Sequence, residues 1–252
     1  MNLAINRFEM SVKSIKEFKS LVGEQIGSGD YATVWEMKDS EPKHVYKVIQ
    51  TNDFGDGLEA VIAKIAGKIG VGPVVHSTFY VGESLAVIEM DYAGKSLGQQ
   101  MEDLAEKRKG PPEELPLTEP VEGGKIKSRY TITPILKKEK VSVEEAIEAL
   151  YENAETFYFQ LFSNIKKLAM HKISFGDSHV GNIIPIPESE VELIDFGSAT
   201  IYESEEEARE RLNTPYNFSL LRKYSQLPGL SEKSERLIEW FGINLEQTCI
   251  QM

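Results

Sequence analysis

The chain has 252 residues, 41% of them hydrophobic and 27% charged, which is enough apolar material for one compact unit of two lobes. Its formal net charge of -12 excludes nucleic-acid binding through bulk electrostatics, and its one cysteine, Cys249, excludes an internal disulfide framework and a cysteine-based metal site. No apolar run approaches the roughly 18 residues of a transmembrane helix. Residues 1–9 lack a signal-peptide pattern, so we expect a cytoplasmic monomer without membrane association.

The first predicted element is an amphipathic helix within residues 1–22. Val12, Ile15, Phe18 and Leu21 recur there at near-helical spacing, with mainly Lys and Ser between them. We expect this helix to pack on the segment that follows it, in preference to a secretion or targeting role.

A glycine-rich stretch with Gly27 and Gly29 follows and leads into a predicted strand over residues 31–37. Gly-x-Gly allows a hairpin to bring backbone amides close to a phosphate. Dinucleotide-binding motifs also use this pattern, but there it opens a helix and not a strand. The stretch therefore predicts a hairpin that covers phosphate groups.

Lys47 stands inside an apolar predicted strand, residues 45–49. Burying its ammonium is costly unless a partner is present. A predicted helix over residues 58–66 follows and offers Glu59 as that partner. The segment alone equally allows Lys47 to extend to water.

Three longer segments come next. Residues 85–92 form a predicted strand that runs into acidic residues and then a connection. Residues 99–142, which Pro and Gly interrupt repeatedly, are predicted as a polar insertion, a solvated loop in preference to a partner-docking element, with residues 130–136 as a strand or lining segment. One long helix is predicted over residues 143–170, with His171 as a capping or surface residue at its end.

Two polar motifs follow this helix. Asp177 precedes Asn182 by five positions in a predicted loop, and Asp195 begins Asp-Phe-Gly directly after a short buried strand, residues 191–194. Phosphoryl transfer from ATP requires a carboxylate that accepts the proton of the attacking hydroxyl. It also requires an amide oxygen and a second carboxylate that hold magnesium ions. Three more helices are predicted, around residues 203–207, 216–224 and 237–241.

These five separated motifs, in this order, resemble those of protein kinases and their relatives over most of residues 22–200. The resemblance implies an α+β, two-lobed protein-kinase-like fold. Its N-lobe, residues 1–91, would hold a small sheet and one helix. Its C-lobe, residues 92–252, would be reduced and mainly helical, with the insertion at 99–142, and the lobes together would form one kinase-like domain.

The resemblance also implies ATP and Mg²⁺ as cofactors. Lys47 would position the α- and β-phosphates and be held by Glu59, while Asp177 would act as the base. Asn182 and Asp195 would bind the metal. The implied nucleotide contacts are Ile26, Gly27, Gly29, Val34, Lys47 and, around the connection between the lobes, Glu89 and Asp91.

The catalytic loop departs from the kinase pattern. Phe175-Gly176-Asp177 replaces His-Arg-Asp, and Phe175 can keep the buried apolar role of the histidine. Gly176 removes the arginine that would pair with a phosphorylated activation loop, so no switch of that kind is expected. His179 stands where many Ser/Thr kinases have lysine, and two roles remain open for it, contact with the γ-phosphate and local packing.

After Gly197 no Ala-Pro-Glu motif occurs and 55 residues remain (252 − 197), which predicts a truncated C-lobe. This form resembles the minimal effector kinases that bacterial pathogens secrete (the OspG/NleH type), and residues 217–224 are similar to that group. The resemblance implies phosphorylation of Ser or Thr in protein substrates, action in a host cytosol, and host partners that can include a ubiquitin-carrying protein.

Two alternatives remain open. The Phe-Gly-Asp form also resembles aminoglycoside-phosphotransferase-like enzymes, which suggests a small-molecule kinase. A pseudokinase that binds partners through residues 99–142 is the second alternative, although a chain without catalysis has no chemical reason to keep all of the motif residues.

Overall fold

The computed structural model describes residues 11–29, 32–50, 56–82, 85–108, 140–186, 190–212 and 214–243. They form a six-stranded sheet with two helices, followed by a mainly helical part, so the predicted α+β class is confirmed. Several sequence predictions concern residues outside this description: the segment 1–10, most of the insertion with its predicted strand at 130–136, and Cys249.

The sheet consists of the first six strands of the chain. Their bounds are β1 Ser11–Lys13, β2 Val22–Ser28, β3 Ala32–Met37, β4 His44–Gln50, β5 Val75–Val81 and β6 Leu85–Asp91. The spatial order is β1-β5-β6-β4-β3-β2, in which the last five strands pair antiparallel and β1 adds in parallel to the edge of β5. The predicted strands around Lys47 and at residues 85–92 are thus confirmed.

Helices α1 (Ile15–Leu21) and α2 (Asp56–Lys68) cover opposite faces of the sheet. Phe18 of α1 packs in one apolar cluster with Tyr46 and Phe79, while Ala60 of α2 packs with residues of the other face such as Ile88. Alternating strand residues therefore divide between two layers.

The amphipathic helix predicted within residues 1–22 is shorter than the pattern suggested. It begins after Ser14, because Ser14 and Glu17 form a reciprocal capping box that satisfies backbone donors at the helix start. The preceding residues 11–13 extend the sheet as β1. The predicted packing of this helix on the following segment is confirmed through Phe18.

Among its described residues, the helical part contains six α-helices, one short 3-10 helix (Phe196–Ser198) and two small antiparallel pairs. The helices are α3 Leu97–Arg108, α4 Val143–Leu150, α5 Ala154–Met170, α6 Glu205–Glu210, α7 Pro215–Ser225 and α8 Glu232–Trp240. Strand β7 (Ile173–Ser174) pairs with β10 (Thr200–Ile201), and β8 (Ile183–Ile186) pairs with β9 (Glu190–Leu193). Helix α5 lies at the centre of this part, since its residues Leu161, Phe162, Ile165 and Leu168 are fully buried.

The helix predicted over residues 143–170 is two helices. Tyr151 is extended, and its hydroxyl donates to the carbonyl of Glu190 at 2.9 Å. Asn153 then caps α5 by accepting from the backbone N–H of Glu155. The apolar period continues across this break, which is why the sequence pattern did not reveal it. His171 is the exposed C-cap of α5, as predicted.

The first ten residues of the stretch predicted as a solvated loop, 99–108, belong to α3. Met101 and Leu104 pack against the main core, and Arg108 pairs with Glu145 at 2.9 Å. Apart from this narrow stripe the helix has few apolar residues. Its sequence therefore resembled the Pro- and Gly-rich segment that follows it, and the pattern did not predict a helix here. Within the described part of the chain, no helix has the length and apolarity to cross a bilayer.

Candidate active site

Lys47 lies in a row of residues that runs across the sheet on the α2 face. Gly27 pairs with Val34, Val34 with Lys47, and Lys47 with Ile88. Because directly paired residues project to the same face, the predicted nucleotide contacts Gly27 and Val34 share the face of Lys47. Ile26 lies at the register irregularity between Gln25 and Gly27.

The ammonium of Lys47 is shared between two carboxylates. Its Nζ donates to Oε1 of Glu59 at 2.5 Å and to Oδ1 of Asp195 at 2.7 Å. The Lys47 and Glu59 side chains are only 9% and 11% exposed, so each would be costly to bury alone. The structure thus answers the choice left open by the strand sequence: Lys47 has partners from α2 and from the Asp-Phe-Gly motif, 148 positions away.

The electrostatics of this cluster follow from its geometry. Burial would lower the pKa of Lys47, but the charges of Glu59 and Asp195 outweigh burial and raise it. Burial would likewise raise the pKa of Asp195, but the Lys47 ammonium outweighs it and lowers that pKa. Lys47 and Asp195 are therefore both charged near neutral pH in the pairing seen.

Local backbone geometry places Asp195 at this point. It follows β9 in the left-handed conformation, with φ 61° and ψ 74°. Phe196 is buried and packs on Phe175, with ring centroids 5.5 Å apart, which confirms a buried apolar role for Phe175. A Cβ at Gly197 would lie 3.2 Å from Oε2 of Glu59, so glycine lets the turn approach the carboxylates closely.

Asp177 and Asn182 lie together in the loop between β7 and β8, the predicted catalytic loop. The Asn182 amide donates from Nδ2 to the carbonyl of Asp177 at 3.1 Å and to its Oδ2 at 3.2 Å. The Asn182 carbonyl accepts from the N–H of Ile194 at 3.0 Å, which ties the loop to the segment before Asp195. The Asp177 side chain is one third exposed, so a carboxylate oriented by the loop still faces solvent.

His179 lies between the two motifs. Its Nδ1 accepts from the backbone N–H of Gly181 at 2.9 Å, which directs Nε2 towards Oδ2 of Asp177, 3.9 Å away. A Cβ at Gly181 would lie 2.6 Å from the His179 ring, so glycine lets the ring lie in this position without moving. Local packing of His179 is confirmed, and its contact with a phosphate stays a prediction.

Helix α7 holds the catalytic loop through residues that the sequence analysis missed. Asn217 is buried, and its Nδ2 donates to the carbonyls of Phe175 at 3.0 Å and Leu212 at 2.9 Å, while its Oδ1 accepts from the Ser178 hydroxyl. Thr214 donates to the carbonyl of Gly176 at 2.6 Å. A signal existed: Asn217 precedes Leu220, Leu221 and Tyr224 on the apolar stripe of its helix, where a polar residue needs an explanation.

Thr214 also explains Gly176. A Cβ at Gly176 would lie 2.7 Å from Cγ2 of Thr214, so the start of α7 occupies the space that a larger residue would need. The tight contact between the loop and α7 therefore leaves no room for an arginine side chain at position 176.

We expect Asn217→Ala to destabilise the fold and to lower activity by misplacing the loop. The substitution leaves the buried Ser178 hydroxyl and two carbonyls without their partner, which costs about 2 kcal/mol or more. Urea unfolding of the full chain measures this cost. Ser225→Ala is the matched control, because Ser225 lies at the end of the same helix, is only partly buried and donates to the local carbonyl of Arg222 at 2.8 Å. Equal stability of the two variants would contradict the role given to Asn217.

Glu89 and Asp91, the nucleotide contacts implied at the connection between the lobes, lie at the end of β6. The side chains of Glu89 and Asp91 contact Ser77 and His76 and do not join the Lys47 cluster. The N–H groups of Asp91 and Tyr92 donate to the carbonyls of Val74 and Lys43, at 3.0 Å each. Backbone donors for a purine would therefore come from residues after Tyr92, and a role for the Glu89 and Asp91 carbonyls stays a prediction.

The residues present fit a nucleotide with magnesium. Asn182 and Asp195 provide an amide and a carboxylate, the oxygen donors that Mg²⁺ prefers. The Lys47 ammonium on Oδ1 of Asp195 shows that this carboxylate already attracts a cation. The glycine-rich hairpin is formed by β2 and β3. A Cβ at Gly27 would touch Val34 there at 3.4 Å, and the N–H of Gly29 donates to the carbonyl of Ala32 at 2.9 Å.

No protein-family model matches the sequence, and no curated protein matches it either. Among solved structures, the chain is similar to the BubR1 kinase domain, with a TM-score of 0.46 and 15% identity, over 71% of this chain and 46% of that one. It is also similar to the kinase PK-1 of the Cydia pomonella granulovirus, with a TM-score of 0.47 and 14% identity, over 75% of this chain and 58% of that one. The chain thus spans about half the length of these two kinases.

Proposed function

We propose that the protein transfers the γ-phosphoryl group of ATP to the hydroxyl of Ser or Thr in a protein substrate. The observation that carries this proposal is the convergence of Lys47, Glu59 and Asp195 in one charged cluster, beside the loop that holds Asp177 and Asn182. A structural ion pair would need only one carboxylate. A second carboxylate in a strained turn, next to an oriented base, is the arrangement that phosphoryl transfer requires.

Each residue has a task in this proposal. Lys47, oriented by Glu59, binds the α- and β-phosphates, while the glycine hairpin excludes water above them. Asp177, oriented by Asn182, accepts the proton of the attacking hydroxyl. Bound Mg²⁺ neutralises charge on the phosphates, and Asn182 and Asp195 would hold it. His179 donates from Nε2 towards the same space, and we assign it to the γ-phosphate.

The surface beside Asp177 supports a protein substrate over a small molecule. Tyr216 and Phe218, near the start of α7, are 53% and 54% exposed, and the Tyr216 ring lies 5.9 Å from the His179 ring. An exposed aromatic side chain, Tyr216, beside His179 and the base suits an extended polypeptide.

Transfer of labelled γ-phosphate from Mg-ATP tests the proposal, with cell lysate as acceptor and the Asp177→Asn variant alongside. We expect labelled protein bands with the wild-type chain only. Label in small molecules of a metabolite extract, with none in protein, would move the assignment to a small-molecule kinase. Nucleotide binding without transfer to any acceptor would contradict the enzyme assignment and favour a pseudokinase.

The effector role is a narrower proposal, and it rests on the resemblance of residues 217–224 and of the reduced helical part. It predicts that the full chain retains a host protein, free or ubiquitin-linked, in a pull-down from host lysate. A chain with the exposed aromatic pair replaced, Tyr216→Ser with Phe218→Ser, separates capture through the substrate face from capture elsewhere. No retained host protein in either case would remove the effector role and leave the kinase proposal intact.

A further inference from the structure

A cluster of two histidines and one aspartate lies at the end of the sheet nearest the helical part. Its members are His44 of β4, His76 of β5 and Asp91 of β6. One potential ligand atom from each side chain lies within 4.8 Å of the other two. The chain has four histidines, so half of them gather at this one point.

Strand pairing brings the three residues together. β6 is the middle strand of the three, and Asp91 stands directly opposite His44 of β4. On the other side, the register shift between Val75 and Ser77 makes His76 the extra residue of a β-bulge. Bulges redirect side chains at sheet ends, and this one brings the His76 ring onto Asp91.

Both imidazoles face the same carboxylate oxygen. Nε2 of His76 lies 2.6 Å from Oδ1 of Asp91, and Nε2 of His44 lies 3.5 Å from that atom. The two rings stack at 4.3 Å between centroids with 18° between planes, so their Nε2 atoms approach Asp91 from the same side. Two nitrogen donors and one carboxylate oxygen around a common point form a three-ligand metal set.

A second carboxylate stands behind the first. Oε1 of Glu89 lies 3.9 Å from Nδ1 of His44, and its Oε2 accepts from the Ser77 hydroxyl at 2.7 Å. A metal-binding histidine commonly has a carboxylate near its other ring nitrogen, which fixes the tautomer. Burial raises the pKa of the nearby Glu192, and the negative charges of Glu190 and Asp91 add to that rise.

We propose that His44, His76 and Asp91 bind one divalent ion of the zinc type, with water as the fourth ligand. Imidazole nitrogens favour zinc and its neighbours over Mg²⁺ and Ca²⁺, which prefer oxygen. The side chains of His76 and Asp91 are 36% and 40% exposed, so an ion can enter from solvent. Because the ligands come from three adjacent strands, the ion would join the starts of β4 and β5 to the end of β6.

This site is separate from the proposed magnesium site. His44, Tyr46 and Val48 alternate with Lys47 along β4, and Tyr46 and Val48 pack in the α1-side cluster. The histidine cluster therefore lies on the face of the sheet opposite to the Lys47 ammonium. Zinc binding can thus be measured independently of phosphoryl transfer, and an Asp195→Asn variant should keep it.

The test is a calorimetric titration of the metal-stripped full chain with ZnCl₂ in millimolar MgCl₂, together with a thermal melt. We expect one zinc ion per chain and a rise in Tm. His44→Asn and His76→Asn should each weaken binding at least about tenfold and remove the Tm rise. His171→Asn and Cys249→Ser are the controls, because they remove two other zinc donors of the chain: the histidine at the C-terminal end of α5 and the one thiol. The proposal gives neither residue a role, so neither variant should change the affinity for zinc.

Circular dichroism shows whether each variant is folded, and Asp91→Asn replaces any histidine variant that is not. Absence of stoichiometric zinc binding would overturn the proposal. Binding that survives loss of both cluster histidines, or that the His171 and Cys249 controls weaken equally, would overturn it as well. Displacement of zinc by Mg²⁺ would assign the ion to the oxygen donors of the active site and refute the histidine site.

Discussion

Asp177→Asn should lower the rate of phosphoryl transfer by at least about 10²-fold while the protein stays folded and still binds nucleotide. The amide has the size of the carboxylate, and its oxygen can still accept from Nδ2 of Asn182, which lies 3.2 Å from Oδ2 in the wild-type chain. It cannot accept the proton of the attacking hydroxyl. The loss should therefore appear in kcat, with little change in the KM for ATP.

The matched control is Asp103→Asn, an aspartate-to-asparagine change on the surface of α3. Asp103 pairs with Lys95 at 2.6 Å, and both side chains are more than 40% exposed, so this ion pair contributes little to stability. We expect wild-type activity for this control. Near-wild-type transfer by Asp177→Asn would show that Asp177 is not the base and would contradict the mechanism in which it accepts the proton of the attacking hydroxyl.

The sequence was sufficient to predict the parts of the site that depend on local pattern. The strand alone allowed Lys47 either to pair with Glu59 of the next helix or to extend to water, and the later motifs favoured the pair that the structure shows. Phe175 could be predicted as buried because an apolar residue precedes the loop where kinases also bury a side chain. These predictions succeeded because each follows from the cost of burying one charge or from the gain of burying one ring.

The parts that the sequence did not predict depend on contacts between distant segments. Asn217 holds the loop by donating to the carbonyl of Phe175, 42 positions earlier in the chain. Only the packing of α7 reveals that contact. The histidine cluster needs the strand order and a one-residue bulge, neither of which periodicity reports. The division of the long helix at Tyr151 depends on a hydrogen bond to Glu190, 39 positions away.

Lys47→Met should abolish activity and also destabilise the protein, because it removes the cation from between two carboxylates. The Lys47–Glu59 pair is almost fully buried, and breaking a buried pair by removing one partner costs about 3 kcal/mol. Lys43→Met is the control: Lys43 pairs with Glu36 at 2.5 Å in the same region of the sheet, but its side chain is 46% exposed. Urea unfolding at pH 7 should separate the two variants clearly.

The loss of stability in Lys47→Met should depend on pH in a definite direction. The pKa of Asp195 is lowered in the folded chain from an ordinary value of 3.8, so its pairing stabilises the wild type above that value and is lost as pH falls through the lowered pKa. The pKa of Lys47 is raised from 10.5, so its contribution is present below that value and is lost as pH rises through the raised pKa. Both contributions are complete between about pH 4 and pH 10.5. In Lys47→Met, the two carboxylates repel until one of them takes up a proton, so the stability difference from wild type should narrow from pH 7 to pH 4.

A double variant separates charge from catalysis. Lys47→Met with Glu59→Gln removes the buried carboxylate along with its cation, so stability at pH 7 should return most of the way to that of the wild type, as neutral replacements of buried pairs often do. Activity should stay lost, because no cation remains for the α- and β-phosphates. Recovery of both stability and transfer would mean that Lys47 serves only to neutralise Glu59 and Asp195. Recovery of stability alone identifies Lys47 as a phosphate ligand whose burial the two carboxylates make possible.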